Sequence, residues 1–354
     1  MPGTTASQPT GISADGSVIS GIAWGDWVNG PPDQPLLWTS SGGAQGLGSY
    51  LDSKFTWGVG ISGDGTTLIG NGYAGSALRP FRYQNGSFEE LLVPPGAIGA
   101  EAYGINYDGS VITGTMSSTV PGGFYNWTAF RWTSAGMVDL GVLPGGSYSF
   151  GTGISFDATV IVGTGDTPKG ERAFQWTAGG GMQPLPVLNK LDYAGASSIS
   201  ADGSTIVGFS GNQAVRWVGN HVQGLGLLST SDPFAYSVSY TTSGNGSLIG
   251  GMASDDAGNG RAVLWNQHIG MVDLNEWLAD RGVDLTGWEL QTVTAISADG
   301  STLAGVGSLD GEFQGWILSD FVAPAPEAAP GWAALGLAGW AVTRTVRRRQ
   351  QRPA

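Results

Sequence analysis

Short runs of alternating apolar and polar residues, broken every few positions by glycine, fill most of the chain. In Thr-Ala-Phe-Arg-Trp-Thr, Ala129 and Arg131 fall on one face and Phe130 and Trp132 on the other, the two-residue period of a strand. β-Branched pairs such as Val18-Ile19, Val111-Ile112 and Ile206-Val207 follow Asp-Gly dipeptides and suit a pleated, half-buried surface. Asp-Gly is a preferred two-residue hairpin turn, because glycine takes the required positive φ without strain.

These runs repeat. Gly11 to Gly21 (GISADGSVISG) returns at Gly60 to Gly70, Gly104 to Gly114, Gly153 to Gly163 and Ser198 to Gly208. A sixth copy reads as three residues longer, from Ser237 to Gly250, and a seventh runs from Ala295 to Gly305. Downstream of each comes a second signature ending in Trp38, Tyr83, Trp132, Trp176, Trp217, Trp265 or Trp316. In the fourth repeat the pattern predicts strands at 147–155, 159–164, 172–177 and 181–185. Four short antiparallel strands in a unit of about 47 residues is the blade period of a propeller. The predicted fold is all-β, a seven-bladed β-propeller over residues 1–319. A β-solenoid is the competing architecture, but its coils are usually nearer 20 residues and need no hairpin turn in each.

Composition agrees: 61 glycines and 18 prolines disfavour helices, while 14 tryptophans supply a core. Net charge is −13, yet five of the 15 basic residues (Arg344, Arg347, Arg348, Arg349, Arg352) lie in the last eleven positions. Residues 1–342 therefore set 10 basic against 28 acidic groups, about −18, which repels phosphate backbones and argues against nucleic-acid binding. Cysteine is absent, so disulfides and thiolate metal sites are impossible. The two histidines, His221 and His268, stand at equivalent places after their repeat tryptophans, where each is expected to decorate a turn. The sequence thus marks out no metal site, cofactor site or catalytic triad.

The Asp-Gly turn, the Ala-Phe-x-Trp strand and the Met-x-Asp-Leu-Gly strand, in that order, resemble the HAF-type repeats of bacterial extracellular proteins over most of residues 11 to 319. The stretch from Val272 to Gly305 is similar to that family's final unit, in which an Asn-capped helical turn, here Asn275 to Arg281 ending at Gly282, precedes a Gly-Trp strand. The resemblance implies an exported or surface location and no established catalytic activity. The end of the chain resembles a PEP-CTERM sorting signal: a Pro/Ala linker at 320–330 carrying Pro326-Glu327, a short apolar helix at 331–342, and an arginine cluster to 354. Ala328 stands where that motif has a second proline. What this resemblance implies is recognition by exosortase-like envelope machinery, with transient membrane anchoring through 331–342. That apolar run is short for a span, which normally needs about 20 residues.

Six turn aspartates, Asp15, Asp64, Asp108, Asp157, Asp202 and Asp299, are the most repeated ionisable residues, with Asn245 in the sixth copy. Each stands alone, whereas calcium wants six or more oxygens, so backbone bonding within the turn is the expected role. The repeat tryptophans are expected to pack blade on blade. Aromatics outside the pattern are more informative: Trp24, Trp27, Phe124, Tyr125 and Trp127 lie between second and third strands, whose loops emerge on the face of the inter-blade connections. Aromatics on a rigid loop face suit sugar stacking or partner docking, although local packing over the blade end is the blander role. The leading expectation is a non-enzymatic exported or cell-surface scaffold that binds glycan, matrix or protein. The alternative is a propeller-type polysaccharide hydrolase or lyase, which would need two carboxylates roughly 5–9.5 Å apart in a pocket. Asp166, Asp255, Asp256 and Asp310 share the relevant class of loop, but no two stand out as a pair.

The seventh repeat enters the proline linker without a fourth strand, and residues 1 to 10 are too polar and broken to supply it. Met1 to Ser13 also contain no basic-then-apolar leader. Both observations lead to the expectation that the natural start lies upstream and encodes a signal peptide and a closing strand. If the tail is a sorting signal, mass spectrometry of envelope-associated protein from its host is expected to find the arginine cluster removed; recovery of an intact Ala354 would overturn this.

Overall fold

A computed structural model describes residues 4–25, 32–51, 53–120, 124–190, 193–229 and 231–322. Seven antiparallel sheets follow one another along the chain. Six have four strands in sequential order, spanning 4–46, 56–90, 97–139, 149–184, 194–226 and 237–273, and the seventh, 288–318, has three. The first strand of each blade lies beside the first strand of the next, and blade 7 packs back on blade 1. The architecture is a seven-bladed β-propeller.

The turn between first and second strands shows why the sequence repeats. In blade 1, Ser13 Oγ donates to Asp15 Oδ1 (2.7 Å), Ser17 N donates to the same oxygen (3.0 Å), and Val18 N donates to Ser13 Oγ (3.0 Å). The same lattice recurs around Asp64, Asp108, Asp157, Asp202 and Asp299, and Asn245 reproduces it with Ser243 and Ser247. The aspartate therefore acts as a local acceptor for hydroxyl and backbone donors. Glycine follows it at φ +71 to +77° in six blades. Ala158 takes that position in blade 4 at φ +59°, its methyl packed against Val111, Ile154 and Ile161.

These turns also join the blades. Backbone bonds run from Ala14 N to Gly63 O, Asp64 N to Tyr107 O, Tyr107 N to Phe156 O and Phe156 N to Ala201 O. They continue from Asp202 N to Gly244 O, Gly244 N to Ala298 O and Ala298 N to Ala14 O, at 2.8–3.3 Å throughout. Seven junctions carry seven bonds, all donated in one direction, and the last returns to the first blade. All seven turns therefore lie on one face, which rules out a solenoid.

The glycine closing each repeat sits where the first strand bulges. A Cβ there would lie within 2.3 Å of a carbonyl oxygen across the pair, for example Gly114 against Glu101 and Gly163 against Phe150. In the sixth blade this position is Gly251, facing Val238, and Gly244 takes the place of Ala14 in the ring of bonds. The sixth copy is therefore Thr241 to Gly251, the same eleven residues as the others. The reading from Ser237 to Gly250 misplaced the register because Gly250-Gly251 offers two candidates.

Trp132, Trp217, Trp265 and Trp316 are buried and Trp38, Tyr83 and Trp176 half-buried, all in apolar clusters within and between blades. Arg82 of blade 2 stacks over Trp132 of blade 3 (5.2 Å), and Arg216 of blade 5 over Trp265 of blade 6 (4.5 Å). His221 and His268 are exposed beside third-to-fourth-strand turns.

The helix Leu274–Ala279 leads into blade 7 and is capped by Asp273, whose carboxylate accepts from Asn275 N (2.7 Å), rather than by Asn275 as the sequence suggested. Asn275 instead clamps Leu290, accepting from its N–H (2.8 Å) and donating to its carbonyl (2.9 Å). After the third strand of blade 7, Glu312–Leu318, the described residues run on to Val322, where Phe321 N donates to Ser301 O (2.8 Å) and the Phe321 ring meets Trp277 (5.1 Å). At the other end, Thr4–Ile12 forms the first strand of blade 1. The expected apolar helix at 331–342 and the Pro326-Glu327 motif lie outside the described residues. Among the described residues no helix is long and apolar enough to cross a membrane.

Gly163→Ala is expected to cost at least ~1–3 kcal/mol in urea unfolding, since its methyl meets the Phe150 carbonyl and the Phe174 ring. Gly179→Ala, in open space, should change little.

The turn carboxyls are held below their ordinary range. For Asp15, Asp108 and Asp157 the hydroxyl hydrogen bond is the leading cause. For Asp64, Asp202 and Asp299 burial is the largest single effect and pushes up, but the hydrogen bonds together outweigh it. A lowered folded pKa means that the stabilisation is present above the unfolded carboxyl value and is lost as pH falls through the folded one. The urea midpoint is therefore expected to be level from pH 8 to about 5 and to fall below about 4. Asp202→Asn, which imitates Asn245, should keep neutral-pH stability within about 1 kcal/mol and make that fall shallower.

Candidate functional site

Strand ends place the out-of-pattern aromatics on the face opposite the Asp-Gly turns, where blades are connected. Tyr125 and Trp127 stand two residues apart near the start of the third strand of blade 3 (Phe124–Thr133), so both side chains turn toward blade 4. Tyr148 and Phe150 meet them from the start of the first strand of blade 4 (Ser149–Ile154). The Trp127 and Phe150 rings lie near-parallel with centroids 6.4 Å apart, and Tyr148 meets Phe150 at 5.4 Å. With Asn126, Ser147 and Glu171 they line a groove of about 400 Å³ between the blades. Tyr125 is 63% exposed at its rim and Trp127 is 37% exposed.

Polar groups fix the floor of this groove. Tyr148 Oη donates to Glu171 Oε2 (2.9 Å). Burial first, then the hydrogen bond and charge of Glu171, push the Tyr148 phenol up to about 12, so it remains protonated at any physiological pH. Asp166 accepts from Ser147 N (2.6 Å), Ser147 Oγ (2.8 Å) and Tyr148 N (2.8 Å), which fastens the strand entry. Burial raises its pKa, but the backbone bonds from Tyr148 and Ser147 prevail and the carboxyl is held low. The groove therefore offers flat rings together with oxygen acceptors: the phenol oxygen and the Glu171 carboxylate.

A second groove, of about 880 Å³, lies between blades 1 and 2. Trp24, Phe55, Trp57 and Tyr73 line it, with Asp33 and Lys54. Tyr73 meets Trp57 at 6.1 Å and Phe55 at 6.4 Å, while Trp24 leans on Phe313 of blade 7 (5.3 Å). Asp33 is buried and accepts from Gly25 N (3.0 Å), tying the second and third strands of blade 1 together.

Of the aromatics singled out from the sequence, the structure thus places Tyr125 and Trp127 in one groove and Trp24 in another. Trp27 and the Phe124 side chain lie outside the described residues. Phe55, Trp57, Tyr73, Tyr148 and Phe150 were missed. Their signal lies in Phe-Thr-Trp (55–57) and Tyr-Ser-Phe (148–150), aromatic pairs opening the first strand in only some copies, a strand whose other residues follow the repeat.

Among the loop carboxylates Asp166 stands directly opposite Glu171 across the second and third strands of blade 4, and after burial the charges of both push the Tyr148 phenol up, but Asp166 is taken up by hydrogen bonds from Ser147 and Tyr148. Asp255 binds Arg261 (2.9 Å), which also bridges to Glu289 (2.7 Å), and Asp256 accepts from Ser229 (2.6 Å) and Ser231 (2.8 Å). Backbone bonding from Asn259, with Arg261 beside it, holds the Asp255 carboxyl down at about 2. Among the described residues no three His, Cys, Asp or Glu side chains come together as metal ligands would.

No protein-family model matches the sequence, and comparison with curated proteins finds no relative. Solved structures do share the fold. A puromycin-hydrolysing peptidase of Mycobacterium tuberculosis is 11% identical with a TM-score of 0.60, over 90% of this chain and 52% of that one. An oligogalacturonate lyase from Vibrio parahaemolyticus is 10% identical with a TM-score of 0.58, over 86% and 87%. An acylaminoacyl peptidase is 11% identical with a TM-score of 0.55, over 89% and 51%. This chain spans about half the length of the two peptidases. At these identities the likeness establishes the propeller and no more.

Proposed function

We propose that this propeller is a non-enzymatic binding scaffold of the exported, HAF-type repeat class, sorted to the envelope or cell surface through its PEP-CTERM-like tail. Its task is to hold a neutral glycan on the connection face. The observation that carries this reading is the groove of Tyr125, Trp127, Tyr148 and Phe150 around Glu171. Sugar rings present flat C–H faces to aromatics and hydroxyl donors to acceptors, and this groove supplies both partners. The acidic body disfavours polyanionic ligands such as uronate polymers.

A hydrolase or lyase acting through paired carboxylates fits less well. Glu171 lines this groove with Asp166 directly across the strand pair from it, but Asp166 is taken up by three hydrogen bonds from Ser147 and Tyr148, and Asp33 is the one carboxylate among the described residues lining the other groove. The sharing of a fold with an oligogalacturonate lyase does not alter that inventory.

A glycan array probed with the purified chain is expected to light up on neutral polysaccharides, and Trp127→Ala should weaken binding at least tenfold, about 1.4 kcal/mol. Release of new chain ends from any polysaccharide, abolished by Glu171→Gln, would instead establish the enzyme.

A further inference from the structure

We propose that the chain has two sugar sites rather than one, the second being the groove between blades 1 and 2, and that it therefore holds a neutral polysaccharide bivalently. This rests on the glycan reading of the first groove and extends it.

The two grooves occupy the same place in the repeat. The bulge glycine provides the register: a Cβ on Gly70 would meet the Trp57 carbonyl, and one on Gly163 the Phe150 carbonyl. Trp57 pairs across to Asn71 and Phe150 to Thr164, each one residue beyond that glycine. Trp57 and Phe150 are thus equivalent, as are Phe55 and Tyr148 two residues earlier. The five other blades put Gln8, Glu101, Gly195, Val238 and Thr292 at the first of these positions, with no aromatic among them. In both grooves the preceding blade adds a tryptophan, Trp24 from blade 1 and Trp127 from blade 3. At the Trp57 and Phe150 position aromatics are confined to two of seven blades, which packing within a blade does not account for since the other five close without them; at the Phe55 and Tyr148 position Tyr193 and Tyr236 also stand.

The intended occupant follows from charge and geometry. Both grooves sit on one face of a rigid ring, two blades apart, so their separation is fixed. A polymer that repeats its own unit can meet both, whereas a compact ligand cannot. The body charge of about −18 over residues 1–342 selects against polyanions, leaving a neutral hydroxyl-rich chain. Two linked contacts raise apparent affinity by roughly 10²–10⁴ over either alone when the ligand spans them.

The test is calorimetry of the full chain with a neutral β-glucan hexasaccharide, its parent polymer, and polygalacturonate. Two hexasaccharides per chain are expected, with one remaining in Trp57→Ala and one in Trp127→Ala. Each variant should weaken polymer binding at least 30-fold while leaving hexasaccharide affinity at the surviving site unchanged. Tyr73→Ala, at an exposed ring of the second groove, serves as an independent variant should Trp57→Ala unfold, with thermal melts checking both. One hexasaccharide per chain, with Trp57→Ala and Tyr73→Ala silent, would overturn the second site and leave the first standing. No binding of either neutral probe to the parent chain, or preference for polygalacturonate, would overturn the glycan reading and this inference together.

Discussion

Everything else in this molecule depends on a circle of seven backbone hydrogen bonds, in which the first hairpin of each blade donates to that of the next. A blade alone is a four-stranded sheet with two uncovered faces. It becomes stable only when both faces are covered by neighbours, and the circle fixes how closely and at what tilt those neighbours stand. The requirement reaches back into the sequence. The amide that donates must be held outward, which the turn lattice around the aspartate does, and the first strand must bulge, which brings a carbonyl so close to the facing residue that a Cβ there would clash and only glycine fits. The repeat is therefore a record of one junction, written seven times.

That economy leaves the two faces with different freedoms. On the hairpin face nearly every side-chain oxygen is spent on its own turn, and even a substitution as small as aspartate to asparagine in blade 6 keeps the same bonds. On the connection face the repeat sets no side chain, so differences between blades accumulate there. Trp57 and Phe150 hold positions that are glutamine, glutamate, glycine, valine and threonine elsewhere. Specific chemistry collects where the fold makes no demand.

The same division explains what could be read from the sequence. Blade number, strand order and the turn role of Asp15 and its equivalents were legible because each is imposed by the junction and so recurs. Register was legible except in blade 6, where Gly250 and Gly251 are adjacent and only the carbonyl of Val238 distinguishes them. The helix into blade 7 was visible, but Asp273 and Asn275 are both good caps, and the choice is made by Leu290, fifteen residues away. Half of the groove was visible in Tyr125 and Trp127. Tyr148 and Phe150 were not, because a groove is formed by two blades and a linear pattern shows one at a time.

Blade 7 has three strands, and the circle closes through Ala298 to Ala14 with Thr294 Oγ1 donating to the Pro9 carbonyl (2.9 Å). No strand is shared across that junction among the described residues. In kinetic terms this makes one seam unlike the other six. Its contacts join residues 285 apart, whereas the others join neighbours in the chain. Along the unfolded chain, closing so long a loop costs roughly 1.6 kcal/mol more than closing one blade repeat. On that ground the six local junctions are expected to form before the seam as the chain folds. Trp24 of the second groove rests on Phe313 across that seam, so one wall of that groove is completed only when the ring closes, whereas the groove between blades 3 and 4 is built wholly from neighbouring repeats.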